Sequence, residues 1–442
     1  MALFHQKPGL ERVLPLGADL TPEGHLALGG CDVVELAQEF GTPLYVFDEL
    51  TLRARARAYR QELARRYGEG LVVYAAKAFI NRPLARLFAD EGLGLDVVSG
   101  GEVAIAHAAG FPMDRVYFHG NNKTPEEVEL AFRVGVGRFV IDNLYEVELL
   151  SRLGRGHRQP VLIRLTPGID PHTHEYITTG VIDTKFGLPL GTGQAEEAVQ
   201  AVLGSRNLEL VGFHVHIGSQ IFELDAFKRA VDACLDFVGQ MVRRYGMEFR
   251  EFSPGGGLGI PYLAGDPAPE IADYVGVVCQ AVETKLAEWG LARPRLILEP
   301  GRSIIGPAGV AVYRVGAVKT IPGVRTYVAV DGGMADNIRP ALYGARYEAV
   351  VANRAAEAPT GPVTVAGKYC ESGDILIRDI VLPRVEPGDL LALPAAGAYC
   401  LAMASNYNAA LKPAIVMVAG GRARLIRRRE TYDDLLALDV VE

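Results

Sequence analysis

The chain has 442 residues, of which 49% are hydrophobic and 22% charged, and its formal net charge at pH 7 is −8. This balance is typical of a soluble globular protein and excludes a disordered or fibrous chain. The negative charge argues against nucleic acid as the main partner, because phosphate binding favours a basic surface. The length favours two domains over a single core.

The five cysteines have neither zinc-type CxxC spacing nor the density of a disulfide scaffold. Residues 1–20 lack the apolar core of a signal peptide, and the longest uncharged stretch, residues 390–408, is interrupted by Pro394 and Gly397. We therefore expect a cytoplasmic protein without a membrane span. His172 and His174 have no further residues at metal-ligand spacing, so we expect a loop there and no bound metal.

Short β-branched runs alternate with amphipathic helical stretches between about residues 45 and 300. The predicted strands are Leu71–Ala75, Leu95–Val98, Val116–His119, Phe139–Ile141, Val161–Leu165, Leu210–Val215, Glu251–Ser253 and Leu296–Leu298. The predicted helices are Pro83–Asp90, Glu102–Ala109, Pro125–Val134, Glu146–Leu153, Ala195–Leu203, Ala226–Tyr245 and Glu270–Trp289. This alternation is typical of a (β/α)8 barrel. An open doubly wound sheet is the alternative, but no GxGxxG motif follows the first strand.

Beyond residue 300, short strands joined by Gly and Pro turns predict an all-β region, either a sandwich or a small barrel. The N-terminal segment offers a strand at His25–Leu28, a helix at Val33–Phe40 and a strand at Leu44–Phe47. We therefore predict an α/β chain with a (β/α)8 TIM-type barrel in residues 46–300. Residues 1–45 and 301–442 would together form the β domain.

Polar residues stand at the ends of most predicted barrel strands. They are Lys77, Asp96, His119, Arg164, His214, His216, Gly255–Gly257 and Glu299. Catalytic groups of barrel enzymes lie at the C-terminal ends of the strands. The sequence therefore predicts one polar pocket on that rim.

Lys77 ends an apolar, β-rich run, where a charge is costly unless it has chemistry or a partner. Desolvation lowers the basicity of a lysine, and a neutral amine can attack a carbonyl carbon. A lysine whose ammonium reaches solvent from the end of a strand is the alternative.

The run Pro254–Gly259 contains four glycines whose backbone N–H groups could bind an anion. Barrel enzymes often bind phosphate in the loops after strands seven and eight, where this run falls. Ser219 could add a hydroxyl to the same phosphate. A flexible turn is the alternative.

An imine-forming lysine beside a phosphate cradle indicates pyridoxal 5′-phosphate (PLP). Glu299 follows the last predicted barrel strand. A carboxylate there would keep the pyridine nitrogen protonated, which favours a reaction that needs a strong electron sink, such as decarboxylation. An ion pair with Arg302 is the structural alternative.

Five ordered motifs resemble the diaminopimelate decarboxylases, of the fold type III PLP-dependent family shared with ornithine decarboxylase and alanine racemase. The motifs are Tyr74–Ala78, His214–Gln220, the glycine run, Glu299–Arg302 and Cys370–Asp374. The resemblance covers nearly the whole chain. It implies a PLP-dependent carboxy-lyase that converts meso-2,6-diaminopimelate to L-lysine and CO2, the last step of lysine biosynthesis.

The resemblance also implies roles in cofactor binding. Lys77 would form the Schiff base with PLP, His216 would stack on its ring, and Glu299 would bind the pyridine nitrogen. Further cofactor-binding residues would be Asp96, Ser219, Gly255, Gly256, Gly257, Gly301, Arg302 and Tyr399. Asp96 would orient either His216 or Lys77, or it would only make a hydrogen bond at the end of its strand. His214 would lie either in a second layer of residues around the cofactor or in the core. The sequence assigns no role to Arg164.

For the substrate, the resemblance implies that Arg302, Arg339 and Tyr343 bind carboxylates, together with Tyr399. The planar fork of arginine suits a carboxylate because it makes two parallel hydrogen bonds. Glu371 would recognise the distal amino group.

Cys370 would be the acid that returns a proton to the α-carbon, since a thiol titrates close enough to neutrality. In the family this segment enters the pocket of the partner subunit, which implies a homodimer with shared active sites.

Decarboxylases of ornithine, arginine or carboxynorspermidine are the rival enzymes, and a non-catalytic PLP-binding relative is a further alternative. Two arginines beside Tyr343 favour a substrate with a distal carboxylate.

Overall fold

The computed structural model describes residues 9–154, 158–169 and 184–441. His172 and His174 lie outside these residues. The chain divides into two compact units. The barrel unit comprises Arg55–Gly259 and Ala268–Ser303, and the β unit comprises Met1–Ala54, Ile260–Pro267 and Ile304–Glu442.

Eight parallel strands close into a barrel, because the last strand of the sheet order, β8, also pairs with β9. In spatial order they are β9 (Gln159–Thr166), β11 (Leu208–Val215), β12 (Glu251–Gly255), β13 (Arg295–Leu298), β5 (Gly70–Ala75), β6 (Gly94–Val97), β7 (Val116–Phe118) and β8 (Arg138–Ile141). A short ninth strand, β10 (Leu188–Pro189), pairs with β9. The strands are buried almost throughout, as expected of a parallel sheet covered by helices.

Seven helices of the described ranges connect the barrel strands. They are α3 (Arg82–Asp90), α4 (Gly100–Ala108), α5 (Pro125–Val134), α6 (Leu144–Leu153), α7 (Gln194–Gly204), α8 (Leu224–Tyr245) and α9 (Ile271–Trp289). Four of them start at a polar cap whose side-chain oxygen accepts a hydrogen bond from a backbone N–H of the first turn: Asn81, Ser99, Thr124 and Asn143. These caps fix where each connection ends.

The interior of the barrel is apolar around one cluster of buried residues. Its members are Leu71, Val73, Tyr117, Val140, Leu162, Val211 and Ile297. At the N-terminal end of the strands, Glu251 Oε2 accepts a hydrogen bond from Tyr117 at 3.1 Å, and Glu251 Oε1 accepts one from Arg138 at 2.8 Å. The polar groups at this end of the barrel are paired with one another, so the candidate catalytic residues are those at the C-terminal ends of the strands.

The β unit is built on a mixed sheet and a small antiparallel sheet. The mixed sheet contains β4 (Leu44–Asp48), β14 (Gly309–Ile321), β15 (Arg325–Val330), β16 (Val350–Val351), β17 (Gly361–Ala366), β18 (Ile375–Leu382), β19 (Leu390–Leu393), β20 (Ala414–Ala419) and β21 (Arg422–Arg427). Strands β1 (Ala18–Leu20), β2 (Leu26–Leu28) and β3 (Cys31–Asp32) form the small sheet. Helices are α1 (Val33–Phe40), α2 (Glu49–Arg66, which continues into the barrel unit), α10 (Arg302–Ile305, which begins in the barrel unit), α11 (Arg339–Tyr343) and α12 (Tyr432–Leu436).

The N-terminal strand β4 lies in the middle of the mixed sheet, antiparallel to β14 and parallel to β20. Its residues Leu44 and Val46 join one core with Val310, Val312 and Val416. The N-terminal segment is thus part of the same sheet as the C-terminal strands, although most of the sequence separates them.

The predicted fold class, a TIM-type barrel with a separate β domain, is confirmed. Most predicted strands and helices lie within one or two residues of the observed ones. Sequence analysis missed α2, whose buried apolar residues are Leu52, Ala56, Tyr59 and Leu63 among many charged residues. Among the helices that the structure describes, none combines the length and apolar composition needed to cross a bilayer.

Candidate active site

Lys77 lies in a short 3-10 turn, Ala76–Ala78, directly after β5. Ala76 and Ala78 are buried, whereas Lys77 is partly accessible. The hydroxyl of Tyr74 donates to the carbonyl of Phe79 at 2.7 Å and closes the turn. Just before the turn, the N–H of Ala75 donates to the carbonyl of Pro300, two residues beyond the last barrel strand, at 3.1 Å. The turn that carries Lys77 is therefore held by hydrogen bonds on both sides.

Glu299 follows β13 and is only 6% exposed. Its Oε2 lies 2.9 Å from Nε2 of His214, and its Oε1 accepts a hydrogen bond from Oγ of Ser253 at 2.7 Å. The predicted alternative, an ion pair with Arg302, is not among the ion pairs of the described residues. A buried carboxylate is thus held by neighbours from two adjacent strands, β11 and β12.

His119 and Asp96 extend this cluster across the barrel. Nε2 of His119 lies 3.6 Å from Oε1 of Glu299 and 3.7 Å from Oδ1 of Asp96. These are longer than hydrogen bonds, and within the described ranges both His119 Nε2 and Asp96 Oδ1 are buried without a hydrogen-bond partner. Burial lowers the pKa of His119 to about 4, with nearby Asp96 and Glu299 opposing this fall. Unpartnered buried polar atoms indicate a group that the rim is built to receive.

His216 lies one residue beyond β11 and contacts the glycine run. The N–H of Gly256 points at Nδ1 of His216 over 3.4 Å. Desolvation lowers the pKa of His216 well below its usual value, and the positive charges of Lys77 and Arg164 add to the fall. The imidazole is therefore neutral at pH 7.

The glycine run is required by close backbone packing. A Cβ at Gly256 would lie 2.0 Å from the carbonyl oxygen of Glu299, and a Cβ at Gly257 would lie 2.4 Å from the carbonyl oxygen of Gly218. Gly255 has a φ of +75°, which favours glycine. The end of β12 is thus pressed against the segments that carry Glu299 and Ser219.

Arg302 and Ser219 form a second polar group on the same unit. Nη2 and Nε of Arg302 donate to Oγ of Ser219 at 3.0 Å and 3.2 Å, and Arg302 is only 6% exposed. Next to Arg302, a Cβ at Gly301 would lie 3.0 Å from Cβ of Ala75. The segment Glu299–Arg302 therefore packs on the turn that carries Lys77.

The other predicted site residues belong to the β unit. Arg339 is buried, its Nη1 donates to the hydroxyl of Tyr347, and its guanidinium lies 4.4 Å from the centre of the Tyr262 ring. The hydroxyl of Tyr343 donates to the sulfur of Met403 at 3.8 Å. Tyr399 has a φ of +62°, an unusual conformation for a tyrosine.

Cys370 and Glu371 lie in an exposed loop between β17 and β18. The carbonyl oxygen of the Asn408 side chain accepts the N–H of Cys370 at 2.9 Å. The carboxylate of Asp374 accepts the N–H groups of Tyr369 at 2.9 Å and of Met334 at 2.7 Å. The loop is thus ordered by its own unit while the thiol stays exposed.

Comparison with known proteins decides the family. The family model described as "Pyridoxal-dependent decarboxylase, pyridoxal binding domain" matches residues 50–306. The diaminopimelate decarboxylase of Bacillus subtilis is 48% identical over 419 residues, covering 94% of this chain and 95% of the relative. That of Mycobacterium tuberculosis is 44% identical over 450 residues, 99% of each chain. The chain belongs to the diaminopimelate decarboxylase family.

A solved structure of a family member agrees with this assignment. The diaminopimelate decarboxylase from M. jannaschii in complex with L-lysine is 35% identical, with a TM-score of 0.90 over 99% of both chains. Membership makes this chain a PLP-dependent decarboxylase, as the sequence motifs predicted.

Three observations on the barrel unit fit PLP. Lys77 is an amine at the end of a strand, Glu299 is a buried carboxylate for a ring nitrogen, and Arg302 with Ser219 offers a cation and a hydroxyl for a phosphate. The buried atoms of Asp96 and His119 that lack partners among the described residues are consistent with a polar ligand on this rim. The donor set therefore suits the cofactor of the family.

Sequence analysis did not assign site roles to three residues that the structure brings into this cluster. Ser253 bonds Glu299, and His119 lies between Glu299 and Asp96. Glu102 interacts electrostatically with Asp96 and Lys77. Desolvation raises the pKa of Glu102 to about 7, and the charge of Asp96 adds to this rise. A hydrogen bond from the N–H of Val98 and the charge of Lys77 oppose the rise. His119 carried a usable signal, since it is the last residue of the predicted strand Val116–His119, and the sequence placed it on the polar rim without a specific role. Ser253 and Glu102 resemble ordinary strand and helix-cap residues.

Proposed function

We propose that the protein decarboxylates meso-2,6-diaminopimelate to L-lysine and CO2 with PLP. The observation that carries the proposal is the buried carboxylate of Glu299, held by two hydrogen bonds on the same barrel unit as the turn of Lys77. An anion at this place stabilises a protonated pyridine nitrogen. The names of the family members at 44–48% identity support the substrate.

When bound, PLP supplies an electron sink that accepts the electron pair left on the α-carbon as CO2 departs. Lys77 would hold the cofactor through Nζ and would carry a proton at that atom. Glu299 keeps a proton on the ring nitrogen. His216 contacts the ring as a neutral imidazole, in keeping with its lowered pKa.

The phosphate of the cofactor is assigned to Ser219, Arg302 and the glycine run, Gly255 to Gly257. The hydrogen bonds between Arg302 and Ser219 support a shared anion site, since they bring a cation and a hydroxyl together. Gly301 allows the close approach of this segment to the Lys77 turn. Asp96, in β6, and Tyr399 are also assigned to the cofactor.

The substrate is assigned to cationic, aromatic and acidic side chains. Arg302, Arg339 and Tyr343 would bind its carboxylates, and Tyr399 would assist them. Glu371 would accept the distal ammonium, and its exposure on the described chain supports a contact made outside its own unit. Arginines at two positions suit a substrate with a carboxylate at each end.

Cys370 would hold a proton at Sγ and deliver it to the α-carbon of a substrate in the partner subunit. Its exposure, together with the hydrogen bonds that order its loop, supports a role across a homodimer interface.

We also propose a cytoplasmic location, supported by five free cysteines. The division into a PLP-binding barrel of residues 46–300 and a β domain of residues 1–45 and 301–442 is supported by the two compact units.

The proposal is tested by CO2 release from meso-diaminopimelate with and without added PLP. Ornithine, arginine and carboxynorspermidine are the competing substrates. We expect the highest kcat/KM for diaminopimelate, and a higher value for ornithine would overturn the assignment. A protein that binds PLP but releases CO2 from none of them would be a non-catalytic relative.

Borohydride reduction followed by peptide mass spectrometry tests the covalent anchor. We expect the cofactor on the peptide that contains Lys77 and no adduct in Lys77→Ala. Lys77→Arg is the matched control for charge, because it keeps a cation that cannot form the bond. An adduct on a different lysine would contradict the assigned anchor.

A further inference from the structure

His214 and Ser253 contact the Glu299 carboxylate and are almost completely buried. They are 1% and 0% exposed. His214 comes from β11 and Ser253 from the neighbouring strand β12, and each contacts a different oxygen of Glu299. Both strands are fixed in register at this level, where His214 is paired with Ser253. Two adjacent strands thus hold one carboxylate.

The direction of the His214 contact follows from the protonation of its ring. Burial lowers the pKa of His214 well below its usual value, with Arg164 and Lys77 adding to the fall, so the ring is neutral. A neutral imidazole carries one N–H. Nδ1 of His214 is buried without a partner in the described part of the chain, whereas Nε2 faces Glu299 at 2.9 Å. The N–H therefore belongs on Nε2, where it donates to Oε2 of Glu299.

The direction of the Ser253 contact is fixed by its second partner. Oγ of Ser253 accepts the backbone N–H of Gly255 at 3.2 Å. Its own hydrogen is then directed to Oε1 of Glu299, 2.7 Å away. Both carboxylate oxygens receive a hydrogen bond from a neutral donor, an arrangement that holds the carboxylate in one orientation.

We propose that His214 and Ser253 are positioning residues for Glu299, which hold its carboxylate in the orientation that faces the cofactor ring nitrogen. This inference rests on the role of Glu299 in the proposed function. It decides between the two readings that the sequence left open for His214, a core residue or a residue that supports the site.

The test is a double-mutant cycle on the full-length protein. His214→Leu removes the donor, His214→Gln retains an N–H donor, and Ser253→Ala removes the hydroxyl. Each is made in the wild-type and in the Glu299→Gln background. The readouts are the PLP dissociation constant of the apoprotein, measured by absorbance titration, and the pH profile of kcat.

We expect His214→Leu and Ser253→Ala to weaken PLP binding and lower kcat about 10- to 100-fold, the range known for partners that orient metal ligands. His214→Gln should recover most of the loss. In the Glu299→Gln background the same changes should have almost no further effect, because the residue through which they act is already altered.

Tyr117→Phe is the matched control, since it removes another buried hydrogen bond of the barrel, to Glu251 at the opposite end. It should lower the thermal unfolding midpoint but leave PLP affinity unchanged. Equal losses in both backgrounds, or a loss of stability alone, would overturn the proposal. If His214→Leu fails to fold, the double-mutant cycle is measured with Ser253→Ala and Glu299→Gln.

The two proposals fail in different ways. PLP titration needs no substrate, so a wrong substrate assignment would leave the cycle intact. If Glu299→Gln itself had wild-type PLP affinity and kcat, the role of Glu299 would be wrong, and the positioning proposal would fall with it.

Discussion

At the scale of single residues, Arg339 shows how a predicted substrate ligand is prepared by its surroundings. Its guanidinium lies over the Tyr262 ring at 4.4 Å and donates to the Tyr347 hydroxyl, whose oxygen is 3.5 Å from the sulfur of Cys400. The ring and the hydroxyl restrict the rotamers of a long side chain. Less entropy is then lost when the arginine binds a carboxylate. Its contact with substrate stays a prediction.

Asp336, three residues before Arg339, is a buried acid with an unusual pKa. Tyr313 donates to its Oδ2 at 2.6 Å, and the N–H of Gly333 donates to its Oδ1 at 3.0 Å. Burial nevertheless raises the pKa of Asp336 to about 7, and these hydrogen bonds only partly oppose the rise. The folded protein therefore retains a proton here that the unfolded chain releases near pH 4.

The sign of the resulting pH dependence is definite. Because the folded-state pKa of Asp336 is raised, its contribution to stability is complete below pH 4 and is lost as the pH rises to about 7. We expect Asp336→Asn to remove this part of the decline, at most about 1.4 kcal/mol per pH unit. Thermal unfolding of the holoenzyme at pH 5.5 and pH 7.5 measures it. The exposed Asp433→Asn is the control, and an unchanged slope in Asp336→Asn would contradict the prediction.

At the scale of elements, the ends of β12 and β13 pack closely against each other on the barrel rim. The N–H of Glu299 donates to the carbonyl of Gly255 at 2.9 Å, so the glycine run and the acid share one backbone contact. The sequence suggested that glycines leave room for an anion. The structure adds that Gly256 is required because the neighbouring backbone leaves no space for a side chain.

We expect Gly256→Ala to separate β12 from β13 and to displace Glu299. Overpacking of this kind typically costs about 1–3 kcal/mol of folding free energy. PLP affinity should fall together with the unfolding midpoint, measured by absorbance titration and thermal unfolding. Gly191→Ala is the control, because a Cβ there meets nothing within 4 Å and φ is not positive. A Gly256→Ala protein with wild-type PLP affinity would show that the packing is not critical.

At the scale of the whole molecule, the proposed residues are divided between two units of one chain. Lys77 and Glu299 belong to the barrel unit, whereas Cys370 and Glu371 belong to the β unit. In a two-fold symmetric dimer, each site can take its barrel residues from one subunit and its Cys370 loop from the other. Such sharing is testable without a structure of the dimer.

We expect Lys77→Ala and Cys370→Ala to be almost inactive alone and to regain activity when co-expressed. Random pairing gives one intact site in half of the dimers, or about a quarter of wild-type activity. CO2 release by the purified mixture measures it. Co-expression of Lys77→Ala with Glu299→Ala is the matched control, since both changes affect the barrel unit and no intact site can form. Failure of the first pair to recover would argue that each site is built from one chain.

Much of the fold could be predicted because its signals are local. Runs such as Leu71–Ala75 and Leu296–Leu298 are apolar and β-branched, and the structure buries them as parallel strands. Helix α5 carries its own start signal, the capping box of Thr124 and Glu127. Helix α2 has no comparable pattern, since its narrow apolar face lies among arginines.

The same distinction between local and long-range signals applies to the candidate site. By itself the sequence determined the strand–helix order, the residues at the strand ends and, through ordered motifs, the family. Only the tertiary structure decided that His214 and Ser253 share the oxygens of Glu299 and that Arg302 meets Ser219. These pairs lie 85, 46 and 83 residues apart. Closure of the barrel brings them together, and neither periodicity nor local propensity encodes which side chains then meet.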